Sequence, residues 1–193
     1  MKLIQEKFAY LDSAALFARI ADQDWAIFLD SGVINSLKPV AKNADFDVLA
    51  MAPTATLESD LNETKVRFSK ESYISKEDPL AVLKTTLMKI GMDFDGINNN
   101  DPTPAYLPGA LGYFAYDLAR YYHNLDSISL NDECLPVMAV GIYPVIVVVD
   151  HRKKATFLVA VDVHETVVNQ INDWRKLISR QLDAPLSVAQ LSR

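Results

Sequence analysis

Apolar and polar positions along this chain fall into short blocks that alternate between strand-like and helix-like periods. Trp25-Ala-Ile-Phe-Leu-Asp-Ser31 and Phe46 to Ala52 are continuous apolar runs, closed by Gly32 and Pro53, and they predict buried strands. Thr54 to Ser59 and Lys65 to Lys70 alternate polar and apolar residues about Asp60-Leu-Asn-Glu63, which predicts a hairpin with one wet face. Asp12 and Ser13 can cap a helix running through Ile20. Asp78-Pro79 opens a second helix, with Leu80, Leu83, Leu87, Met88 and Ile90 as its buried stripe and Gly91 as its stop. Ala110 to Ala115 reads as a strand and Tyr116 to Tyr122 as a short helix. Val137 to Asp150 and Ala155 to Val161 read as a hairpin about the basic turn Arg152-Lys153-Lys154. Val167, Val168, Ile171, Trp174, Leu177, Ile178 and Leu182 recur at helical spacing and predict a last, one-sided helix.

Between these blocks, Val33 to Ala44 and the Asn-, Asp- and Pro-rich stretch Asp93 to Tyr106 read as loops. Antiparallel hairpins with single helices between them predict an α+β fold, with antiparallel sheet or sandwich layers and helices packed outside. The 193 residues fit one domain over residues 1–183, and residues 184–193, with Pro185 and small polar side chains, have the composition of a linker.

Charge narrows the function. A net charge of -6 leaves no basic face for phosphate backbones, so nucleic acid is not an expected partner. The longest apolar run, Val137 to Val149, is interrupted by Gly141 and Pro144 and falls short of the roughly 20 residues of a membrane helix, so no membrane association is expected. The first residues lack an apolar core and cleavage site, and the one cysteine, Cys134, admits no internal disulfide; both suit the cytoplasm.

Candidate chemistry is sparse. His123, His151 and His164 have no ligand-like spacing with each other, with Cys134 or with acidic pairs, which gives no metal site and reads as solvated or hydrogen-bonded histidines. Cys134 follows Asp132 and Glu133, which disfavour a thiolate. Asp45 and Asp47 flank Phe46 and are either a carboxylate pair or two polar residues at a strand start. Gly109-Ala-Leu-Gly112 lacks the remaining residues of a phosphate loop, so its glycines read as places where another group approaches the strand closely. Ser31, where a buried strand exits into a turn, is either a turn residue or a hydrogen-bonding group for a small polar ligand.

Five segments in order carry a family resemblance: Trp25 to Gly32, Phe46 to Pro53, Asp78-Pro79-Leu80, Gly109 to Leu118 and Leu135 to Tyr143. Together they resemble the N-terminal domain of the chorismate-using component I enzymes, the family of aminodeoxychorismate synthase (para-aminobenzoate synthase) and anthranilate synthase. Asp30-Ser31-Gly32 is more similar to the aminodeoxychorismate branch.

The resemblance implies a parent transferase that makes 4-amino-4-deoxychorismate from chorismate and ammonia, on the route to 4-aminobenzoate and folate. It implies a glutamine amidotransferase subunit as partner, and a C-terminal chorismate-binding domain, absent from these residues, that holds the catalytic groups and Mg2+. No catalytic residue transfers to this chain, so the resemblance implies a chain inactive by itself. It also implies a tryptophan-type site at Ser31, Asn43, Ala44, Asp45 and Phe46, bound weakly or not at all by this chain alone, and self-association of the chain into a homodimer. The anthranilate branch and a stand-alone amino-acid-binding or docking module are the alternatives.

Overall fold

A computed structural model describes residues 2–32, 45–93, 106–123, 135–162 and 165–183. The expected loop at 33–44, residues 94–105 of the expected loop Asp93 to Tyr106, Cys134, His164 and the linker at 184–193 lie outside the described residues. The architecture is α+β: ten strands form two antiparallel five-stranded sheets among the described residues, with four helices. The chain divides into two compact units, one sheet in each: Met1–Ala52, Phe94–Pro108 and Pro144–Arg193 make the first, and Pro53–Asp93 and Gly109–Tyr143 the second. Proline stands at the crossings 52/53 and 143/144 because it has no N–H with which to continue a ladder.

The first unit's sheet has the order β1-β10-β9-β3-β2. Its strands are β1 (Lys2–Ala9), β2 (Ile27–Leu29), β3 (Phe46–Ala50), β9 (Val145–Asp150) and β10 (Ala155–Asp162), accompanied by the helices α1 (Ser13–Phe17) and α4 (Glu165–Asp183). On one sheet face Leu49, Met51, Val145, Val147, Val149, Leu158 and Ala160 meet Leu16 and Ile20 from α1 and its following turn, and Val167, Ile171, Trp174 and Ile178 from α4. The i, i+4, i+7 spacing of the α4 residues sets its buried side. Val168 and Leu182, expected in the same stripe, are exposed, and Gln181 is buried instead, because its Oε1 accepts a 2.7 Å hydrogen bond from Arg19 Nε. The expected helix to Ile20 is shorter: Asp12 caps it by accepting from Ala15 N at 3.0 Å, and α1 ends at Phe17. The expected strand Trp25 to Ser31 contracts to Ile27–Leu29, since Trp25 takes a positive φ of 61° and turns the chain.

Residues 137–150, expected as a single strand, are two. The chain leaves one sheet at Tyr143, passes Pro144 and enters the other at Val145. The basic turn is as expected: β9 and β10 pair with Ala155 opposite Asp150, and Asp150 Oδ1 closes the turn by accepting from Lys153 N at 2.8 Å.

The second unit's sheet has the order β6-β5-β4-β8-β7: β4 (Ala55–Ser59), β5 (Thr64–Phe68), β6 (Ser72–Ser75), β7 (Gly109–Phe114) and β8 (Met138–Tyr143). β4 and β5 form the expected hairpin, with Asp60 Oδ1 accepting from the Asn62 and Glu63 amides in the turn. Beyond β7, a single 3-10 turn, Tyr116–Leu118, runs into α3 (Ala119–Tyr122). Helix α2 (Pro79–Ile90) begins and ends where the sequence marks it, with Asp78 as N-cap and Gly91 at a left-handed φ of 85°. Its buried stripe is rotated: Val82, Leu83, Thr86 and Ile90 are buried, while Leu80 and Met88 are exposed. Thr86 tolerates burial because its hydroxyl donates to the Val82 carbonyl at 2.7 Å.

Asp78 Oδ1 accepts from Ala81 N at 2.7 Å. Asp78→Ala removes that partner and is expected to cost about 1 kcal/mol, read as a fall of a few degrees in the thermal midpoint.

Candidate functional site

The polar cluster of the first unit grows from one carboxylate. Asp47 lies in β3 two residues before Leu49 and four before Met51, so strand alternation aims it at the same face as those core residues. There it is buried, where an unpaired charge would be costly, and three segments bring partners to it. From the exit of β2, Ser31 donates twice to Oδ1: its amide at 2.8 Å and its hydroxyl at 2.6 Å. From the start of α1, the Ser13 hydroxyl donates to Oδ2. From the β9–β10 turn, His151 Nε2 stands 3.0 Å from Oδ2, without the alignment of a hydrogen bond.

The cluster continues through His151. Its Nδ1 lies 2.9 Å from the Tyr10 hydroxyl, its amide donates to the Asp45 carbonyl at 2.9 Å, and Lys154 Nζ sits 4.6 Å from the centre of the Tyr10 ring. Burial, with Asp47 and Asp12 nearby, raises the Tyr10 pKa and keeps it a neutral phenol. That proton can go to Nδ1, which leaves the imidazole proton on the Nε2 facing Asp47. Burial alone would raise the Asp47 pKa, but the hydrogen bonds from Ser13 and Ser31 and the nearby His151 ring outweigh it, and the carboxyl titrates below its ordinary range. Asp47 is therefore an acceptor-only anion whose two oxygens are both engaged by the protein. This arrangement clamps three segments together; it leaves no free base or nucleophile at Asp47.

The residues singled out from sequence fall around this clamp. Ser31 is part of it. Asp45 is not paired with Asp47 as a dyad: its Oδ1 stands 2.6 Å from Arg152 Nε. Phe46 packs edge-to-face on Tyr106, with centroids 5.5 Å apart. Asn43 and Ala44 lie outside the described residues. His123 is exposed at the end of α3, whereas His151 is a hydrogen-bonded, half-buried histidine. Among the described residues no three His, Cys, Asp or Glu side chains converge as a metal site, and no helix is long and apolar enough to cross a membrane. Sequence reasoning missed Ser13 and His151 as partners of Asp47, and Tyr10 as the partner of His151; the available signal was one carboxylate in phase with Leu49 and Met51.

Comparison with known proteins gives this unit and its neighbour a context. No family model matches the chain. Aminodeoxychorismate synthase component 1 of Escherichia coli is 35% identical over 169 residues, 88% of this chain and 34% of that protein. Its counterpart from Salmonella typhimurium is 33% identical over 144 residues, 75% of this chain and 30% of that protein. Over most of its length, this chain is homologous to aminodeoxychorismate synthase component 1. It spans about a third of the length of these component 1 relatives. Anthranilate synthase component 1 of Acetivibrio thermocellus is more distant, 28% identical over 75% of this chain and 28% of that protein. The fold is similar to that of a solved anthranilate synthase component I from Streptococcus pneumoniae, with a TM-score of 0.55 at 17% identity over 80% of this chain and 34% of that one.

Proposed function

We propose that this chain is the noncatalytic N-terminal domain of an aminodeoxychorismate synthase component 1, with residues 184–193 leading toward a chorismate-binding domain. The parent enzyme would aminate chorismate to 4-amino-4-deoxychorismate for folate synthesis in the cytoplasm, with ammonia from a glutamine amidotransferase subunit. The observation that carries this reading is identity at 35% over 88% of the chain against only a third of the relative. The chemistry of the described residues agrees. Asp45 and Asp47 are engaged by Arg152 and by Ser13, Ser31 and His151, so Mg2+ and the reacting groups would belong to the remaining two thirds of such an enzyme.

The role left to this chain is structural, with a tryptophan-type site at Ser31, Asn43, Ala44, Asp45 and Phe46. The Ser31 hydroxyl has given its one proton to Asp47, so only its lone pairs remain for a ligand, and they suit a donor such as an ammonium group. Isothermal calorimetry of the isolated chain with L-tryptophan is expected to show no micromolar binding; micromolar binding would mean that these residues form a complete site.

The decisive experiment splices this chain in place of the matching third of the Escherichia coli protein. The chimera is expected to let a strain lacking component 1 grow without 4-aminobenzoate. The isolated chain is expected to yield no aminodeoxychorismate from chorismate, ammonia and Mg2+, and product in that assay would sink the noncatalytic assignment. The matches to anthranilate synthase component 1 support a second reading. Rescue of a tryptophan auxotroph by the equivalent anthranilate synthase chimera, without rescue of the 4-aminobenzoate requirement, would select it.

A further inference from the structure

The second unit ends its sheet on a strand edge unlike the others. β7 is last in the order and, among the described residues, has a strand partner on one side only. Protein edges are ordinarily protected against pairing by charge, shortness or twist. Here β1 carries Lys2, Glu6 and Lys7, β2 has three residues, and β6 has four, flanked by Glu71 and Lys76. β7 has six residues and no charge, and its C-terminal half, Gly112, Tyr113 and Phe114, is exposed.

The following turn and α3 extend this surface. Tyr113, Phe114, Tyr116, Tyr121 and Tyr122 lie within residues 113–122, with exposures from 38% at Tyr121 to 91% at Tyr116. At roughly 200 Å² per aromatic side chain, they leave about 500 Å² of apolar surface per molecule. A surface of this size matches the largest apolar patch of a typical monomer, which is often functional.

We propose that this edge pairs with the same edge of a second copy, giving a two-fold dimer in which the two β7 strands run antiparallel. Three observations favour a copy of this chain as the occupant. Two identical edges meeting about a two-fold axis match donors to acceptors automatically. The two patches together bury about 1,000 Å², the area at which specific interfaces begin. Within residues 113–122 the charges, Asp117 and Arg120, are paired at 3.1 Å, so this stretch brings no net charge of its own to the interface, and the acidic Asp78 touches it at Tyr122.

Sedimentation equilibrium from micromolar to several hundred micromolar chain tests this. The weight-average mass is expected to climb toward twice the monomer mass. The most exposed aromatic, Tyr116, can be changed without touching the fold, and Tyr116→Lys and Phe114→Lys are each expected to weaken the dimer at least about tenfold with unchanged melting curves. Leu182→Lys, at an exposed apolar position of the first unit, is expected to leave it intact. Amide hydrogen exchange in β7 should slow with concentration. A monomer throughout the range overturns the proposal, as does a dimer that survives both lysine variants or dissociates with Leu182→Lys. A chain that stays monomeric yet binds the remaining two thirds of the Escherichia coli component 1 also overturns it, and names a different occupant for this edge.

Discussion

Asp47→Ala is expected to destabilise the first unit by about 3–5 kcal/mol. The substitution removes the acceptor of the Ser31 amide, the Ser31 hydroxyl and the Ser13 hydroxyl, and strands His151 beside a small apolar residue. Each orphaned buried donor costs about 1–3 kcal/mol, and a domain has only about 5–15 kcal/mol to lose. Urea unfolding followed by the fluorescence of buried Trp174 reads the loss; a change below about 1 kcal/mol would show that the clamp holds nothing. Asp47→Asn keeps the volume but offers one acceptor oxygen and an amide that confronts donors, so it should fall between alanine and wild type. The same pair separates out the pH dependence. The folded carboxyl titrates below its ordinary value, so its contribution is fully present above the unfolded pKa of about 3.9 and is lost as pH falls through the lower, folded value. Between pH 7 and 5 the stability gap between wild type and Asp47→Asn should therefore stay constant. Below about pH 4 it should narrow. A gap that widens on acidification would reverse the assigned sign.

Gly112→Ala is expected to cost about 3 kcal/mol or more and to loosen β7 from β8. A Cβ at this position would lie 2.1 Å from the Ala139 carbonyl oxygen and 2.7 Å from Val140 Cα. Both are backbone atoms of the paired strand, so no side chain can swing aside. The φ of 154° at Gly112 adds strain for any L-residue. Gly109→Ala is the matched control: a Cβ there meets nothing within 4 Å, and the change should stay within about 0.5 kcal/mol. Thermal melts of the two variants should differ accordingly, and equal midpoints would refute the close-approach role of Gly112. Of the two glycines read from sequence as positions of close approach, Gly112 alone has that role.

What the sequence made legible was local. Helix α2 was readable at both ends because Asp78, Pro79 and Gly91 act within a turn of their own positions, and the hairpin of β4 and β5 because its signals lie in Asp60-Leu-Asn-Glu63. The helix faces were read less well. Hydrophobicity identifies the period, but Thr86 and Gln181 are buried because each finds a hydrogen bond, which composition does not reveal. β1 escaped because its partner is β10, far along the chain. The clamp escaped for the same reason. Ser31 could be singled out from its own turn, but Ser13 is 34 residues from Asp47, and Tyr10 and His151 are 141 residues apart.

The pairing of β1 with β10 governs how this chain is born. Lys2 sits opposite Asp162 and Ala9 opposite Ala155, so among the described strands the first to be made pairs with the last of them. At about 5–20 residues per second, β1 waits on the order of ten seconds or longer for its partner. α4, which supplies Trp174 to the same core, emerges later still. Until then the first unit has no complete sheet and its apolar strands have no cover, whereas most of the strands of the second unit are already in hand. Folding of these two units during synthesis should therefore run against chain order, the second unit closing before the first, with β1 docking only once β10 has been made.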